Sequence, residues 1–130
     1  MNTLRQLVRV EKLSAISDEE VVISLRGRQL TCFISILPYS LVEGNDYPAQ
    51  LTLMVFDEYF VENVNDASES SISPMDDGYS YEIVGRLVDG QLHACGFVFD
   101  NYALESEYAY LEKKIISISV DRIDVEFLRE

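Results

Sequence analysis

The sequence predicts an all-β fold, or a β-rich α+β one: antiparallel hairpins curled into a small barrel or tight sandwich of about seven strands, with one short helix near residues 102–111. Three observations carry this expectation. Runs of β-formers alternate apolar and polar residues with a period of two; glycine-bearing turns join them; and apolar residues at helical spacing occur in one place. At 130 residues the chain suits one domain, 1–130, built around one core.

The clearest hairpin is 79–100, YSYEIVGRLVDGQLHACGFVFD, folded about Asp89-Gly90, a pair suited to the positive φ angles of a type I′ turn. A two-residue loop sets Leu87 opposite Leu92, Gly85 opposite Ala94, Ile83 opposite Gly96 and Tyr81 opposite Val98. That side is apolar or small and belongs in the core. The other side holds Arg86 with His93, Val84 with Cys95 and Glu82 with Phe97. Small residues paired across a ribbon predict a place where the sheet curls or another group comes very close.

Taken in order, residues 4–13 read as a first strand and 17–20 as a polar turn. Val21, Ile23 and Leu25 then Leu30, Cys32, Ile34 and Ile36 form a second hairpin, its connection Arg26-Gly27-Arg28-Gln29 placing Gly27 at the first central position of a type II′ turn. Leu37-Pro38-Tyr39 ends that strand, and the next, 49–56, is entered at Pro48, where a missing amide costs little. This strand turns apolar on both faces, as a central strand does. After a bend near Asp57, alternation resumes through 59–64.

Residues 65–78, rich in serine and acid, predict a flexible acidic surface loop. Beyond the 79–100 hairpin, Leu104, Tyr108 and Leu111 follow a helical spacing, with Asn101 available as N-cap. The last strand puts Ile116, Ile118 and Val120 on one parity and Ile123, Val125 and Phe127 on the other. A bulge or bend at Asp121-Arg122 would keep all six on the buried side.

Charge is the unusual property. The net charge is −13, and residues 29–112 hold fifteen carboxylates against one basic residue, Arg86, while the flanking segments nearly balance. Such a field repels phosphate backbones and anionic lipid and attracts basic proteins, so neither nucleic acid nor membrane is an expected partner. The interrupted apolar residues before Val10 do not make a signal peptide, and no run approaches a bilayer span, so a cytoplasmic protein is expected. Acidity serves solubility as readily as binding.

Catalysis is not expected. The lone histidine, His93, and Cys95 share a strand parity that holds them about 6–7 Å apart; both cysteines, Cys32 and Cys95, read as buried strand thiols rather than a bridge or a zinc site. No nucleophile elbow, phosphate-binding glycine loop or zinc-protease helix occurs. Paired acids at Asp57-Glu58 and Asp76-Asp77 lack the cleft a glycosidase needs, and Asp76-Asp77-Gly78 lacks the alternating ligands of a calcium loop. No cofactor, metal or catalytic residue is therefore predicted.

What remains is tyrosine interleaved with carboxylate. Asp57, Glu58, Tyr59 and Glu62 form one group, Asp76, Asp77, Tyr79 and Glu82 a second, and Tyr102, Glu105, Glu107 and Tyr108 a third. Tyrosine offers contact area at low entropic cost and carboxylates pair with Lys and Arg, a mixture suited to docking on a basic protein. By size and acidity alone the chain is similar to small acidic immunity proteins that neutralise nuclease-type toxins in bacteria. That likeness implies a non-enzymatic inhibitor, a monomer or small homo-oligomer. The alternative is a structural or assembly module that self-associates through an exposed strand edge.

Overall fold

A computed structural model describes residues 6–75 and 78–129. Its strands are β1 (Gln6–Leu13), β2 (Glu20–Leu25), β3 (Arg28–Ile36), β4 (Asp46–Met54), β5 (Val61–Asn63), β6 (Ser71–Pro74), β7 (Tyr81–Val88), β8 (Gln91–Ala94), β9 (Phe97–Asp100), β10 (Ile115–Val120) and β11 (Arg122–Phe127). A single helical turn, α1 (Tyr102–Glu105), and a 3₁₀ turn, Ala109–Leu111, lie between β9 and β10.

The fold is β-rich, but in place of about seven antiparallel strands the described residues form a single mixed sheet of eleven, in the order β1-β2-β3-β11-β4-β9-β8-β7-β10-β5, with β6 on β7. The pairing of β1 with β4 closes the first five of these into a circuit. Two contacts are parallel, β3 with β11 and β4 with β9. Local alternation says which face of a strand is buried but not which distant strand lies beside it, so these pairings leave no trace in any one window.

The register shift expected at Asp121 does occur. Its amide donates to the Met54 carbonyl at 2.8 Å, β10 pairs with β7 and β5 before it, and β11 with β4 and β3 after it. The six apolar side chains expected to share the buried side, and Ile115 with them, are all buried. Buried side chains from both halves of the sheet, among them Ile23, Leu51, Ile83, Phe99 and Phe127, join one hydrophobic cluster.

The 79–100 ribbon is corrected beyond its first turn. Asp89 and Gly90 take φ of 53° and 78°, and Leu87 opposes Leu92 as expected. β8 nevertheless stops at Ala94, because Cys95 and Gly96 take φ of 54° and 87° and form a second two-residue turn of the same kind. Ile83 therefore faces Ile72 of β6 rather than Gly96, and Tyr81 faces Pro74 rather than Val98. The predicted partners Cys95 and Phe97 give way to Ser71 opposite Val84 and Ser73 opposite Glu82. Cys95 is accordingly a half-buried turn residue, whereas Cys32 is fully buried in β3.

Four further expectations change. The acidic loop 65–78 contains β6, anchored by buried Ile72; Asp76 and Asp77 lie outside the described residues. The β2–β3 connection is Arg26-Gly27, both at positive φ, which is the type I′ and not the type II′ pattern. β4 begins at Asp46, two residues ahead of Pro48, which pairs with Leu7. The helix expected at 102–111 is split into α1 and the 3₁₀ turn; the Ser106 hydroxyl folds back onto the Tyr102 carbonyl at 2.7 Å where the helix stops.

Candidate functional site

Three segments meet at the open end of the sheet where β10 passes into β11. The first is the connection from β4 to β5, whose Phe56 amide donates to Asp121 Oδ2 at 2.8 Å and whose Phe60 carbonyl accepts from the Ser119 amide. The second is the approach to β7, closed by a hydrogen bond from the Met75 amide to the Ser80 carbonyl. The third is the 119–121 corner itself. Together they bound a groove of about 440 Å³, with Asp57, Glu58 and Asp121 as its charged lining and Phe60 and Met75 among its apolar lining. Phe60 and Met75 are exposed, as is neighbouring Phe56. Carboxylate and bare hydrocarbon thus lie side by side.

The cation next in sequence to Asp121 is already committed. Arg122 binds Asp124 at 2.7 Å, and its guanidinium lies 5.0 Å from the Phe33 ring centroid and 5.1 Å from that of Phe56. Arg9 pairs with Asp46 well down the chain. Among the described residues no Lys or Arg forms an ion pair with Asp57, Glu58 or Asp121.

The predicted contact residues divide. Asp57 and Glu58 line the groove. Glu62 and Glu82 stand exposed on the outer face of the adjoining strands, opposite Ser117 and Ser119 of β10. Tyr79 lies to one side, its hydroxyl donating to Glu20 at 3.0 Å and its ring centroid 5.1 Å from that of Phe33. Tyr59 turns inward: its hydroxyl accepts from Asn101 Nδ2 at 3.1 Å, and its ring centroid is 6.0 Å from that of Tyr108. It links the groove loop to the helical segment as a packed residue.

Tyr102 and Glu107 adjoin Asn101 and Tyr108, the two residues that Tyr59 of the groove loop meets, while Glu105 reaches the turn that ends β7. There Glu105 packs against Gly90 at the hairpin tip, and Glu112 accepts from the amides of Asp89 and Gly90. Asp76 and Asp77 lie outside the described residues. The sequence marks Asp121 only as a bend and does not single out Phe56 or Met75; nothing local ties Asp121 to Phe56, 65 positions earlier.

The two cysteines lie apart from His93 and from each other's chemistry. Burial, followed by the charge of Asp124, pushes the Cys32 thiol far above its usual range, where it stays protonated. Cys95 sits in its turn with its amide donating to Ser70 Oγ at 3.2 Å, so it shares no strand with His93. Among the described residues no three His, Cys, Asp or Glu side chains gather as a metal site, and no helix is long and apolar enough to cross a membrane.

A family model described as "Uncharacterised conserved protein UCP019853" matches residues 4–128. No curated protein and no solved structure matches the chain.

Proposed function

We propose, from the premise that the chain belongs to this family, that it is a non-enzymatic binding protein whose acidic groove docks on a basic protein, acting as an inhibitor or immunity protein against a nuclease-type toxin. One observation supports the reading above the others: Asp57, Glu58 and Asp121 share a groove with exposed Phe60 and Met75, and no described cation neutralises them. A groove of this kind offers Lys and Arg side chains both halves of what they bind, a carboxylate for the head and hydrocarbon for the stem. Nucleic-acid-binding surfaces are basic and partly apolar, so a nuclease has the complementary chemistry.

The test is capture from the native host at low salt, using the chain and a triple variant, Asp57→Asn, Glu58→Gln and Asp121→Asn. A basic protein held by the parent, lost by the variant and released as salt shortens the screening length from about 10 Å at 0.1 M to about 3 Å at 1 M is the expected result. Recovery of no basic protein, or equal recovery by both chains, overturns the reading.

A further inference from the structure

β5 ends the sheet order, bonded to β10 on one side and, among the described residues, to no strand on the other. The pairing identifies its free groups. Ser119 donates to the Phe60 carbonyl and Val64 donates to the Ile115 carbonyl, so Phe60, Glu62 and Val64 direct their backbone toward β10, while Val61 and Asn63 each turn an N–H and a C=O outward. Neither Val61 nor Asn63 has an outward backbone partner among the described residues. Glu62 and Asn63 are exposed, and the edge runs directly on from Asp57 and Glu58 in the groove.

We infer that the partner reaches this chain as an extended strand that adds to the outer edge of β5, with Lys or Arg on the face shared with Glu62 and apolar residues on the face shared with Val61. The inference rests on the basic-partner reading and goes further by naming the partner's backbone conformation. Backbone hydrogen bonds to Val61 and Asn63 supply the register, and a cation opposite Glu62 supplies the sign. Lysine stems on the same face lie over Phe60 while their heads reach toward Asp57 and Glu58. Residues 57–69 hold five carboxylates and no basic residue, so a second copy pairing through this edge would set like charges against each other. The edge thus favours a basic strand over self-association.

The probe is a nine-residue peptide alternating Lys and Val, compared with one N-methylated at the amides that face β5 and with an alternating Glu and Val peptide. The expected result is slowed amide exchange at Val61 and Asn63 with the first, at least tenfold weaker binding by the second, and none by the third. Asn63→Pro, which removes one outward N–H and no bond to β10, weakens the first peptide likewise. Equal affinity for the N-methylated peptide overturns strand addition and leaves charge docking at the groove standing, as the triple variant then shows. Binding by neither Lys peptide, or salt-insensitive self-association of the chain by light scattering, also overturns it.

Discussion

Asp121 and Phe56 are joined by a hydrogen bond of 2.8 Å from the Phe56 amide to the Asp121 carboxylate, so one groove acid also fixes the loop that carries the other two. Charge and architecture can be separated at this position. Asp121→Asn keeps an acceptor oxygen for the amide and removes the charge; Asp121→Ala removes both. The Asn variant should match the parent in chemical denaturation while losing several-fold in affinity for a basic partner at low salt, a loss that fades as salt is added. The Ala variant should in addition lose about 1 kcal/mol of stability.

Gly85 is the position where the sheet leaves no room. A Cβ built there would collide with the His93 carbonyl oxygen and lie 2.9 Å from Ala94 Cβ, and the first of these is backbone that cannot swing aside. Gly85→Ala should cost about 3 kcal/mol by separating β7 from β8, at the upper end of ordinary overpacking. Gly78 provides the contrast, with φ of +81° and nothing within 4 Å of an added Cβ. Gly78→Ala should cost only the left-handed backbone term, about 1 kcal/mol. Thermal melts of the two variants in parallel distinguish steric crowding from conformational strain.

Both ends of that contrast bear on what the chain discloses before it is folded. Paired Gly85 and Ala94 announced the close approach, Asp89-Gly90 the first turn, and the parity change at Asp121 the corner, because each depends on residues within a few positions of one another. Cys95-Gly96 takes the same turn geometry as Asp89-Gly90 but reads as strand, since cysteine is no turn-former and the flanks, Ala94 and Phe97, continue the apolar pattern without a polar break. Ile72, the one buried anchor of β6, sits alone among serines and acids and so looked like loop. The groove was half visible: Asp57-Glu58 stands out as a pair, whereas Asp121 and Met75 join it only through long-range pairing.

Asn101 performs three tasks with one buried amide. Its oxygen accepts from the Leu104 amide at 3.0 Å and caps α1, and its nitrogen donates to the Leu53 carbonyl at 2.9 Å and to the Tyr59 hydroxyl at 3.1 Å. Asn101→Ala should cost about 2–3 kcal/mol, the cap together with polar groups left dry. Asn101→Asp keeps the cap but sets an acceptor against the Leu53 carbonyl, so it should fall at least as far. Denaturant midpoints of the two variants show whether capping or donation dominates; an Asp variant as stable as the parent would mean the donor bonds contribute nothing.

Cys32 makes stability fall on the alkaline side. In the folded chain its thiol is held far above the usual range, first by burial and then by the Asp124 charge, while in the unfolded chain it ionises near its ordinary pKa of about 8.5. A raised folded pKa means that this contribution is fully present below pH 8.5. Above that value the unfolded state gives up its proton and is favoured, by about 1.4 kcal/mol for each further pH unit. Tyr81 adds to the slope above pH 10, since burial raises its phenol as well, a shift opposed in part by the hydrogen bond from the Thr31 amide. Cys32→Ala should flatten the decline between pH 8.5 and 10 while leaving a small cavity. Urea titrations at pH 7, 8.5 and 10 read the difference, and the same decline in parent and Cys32→Ala would remove the thiol from the account.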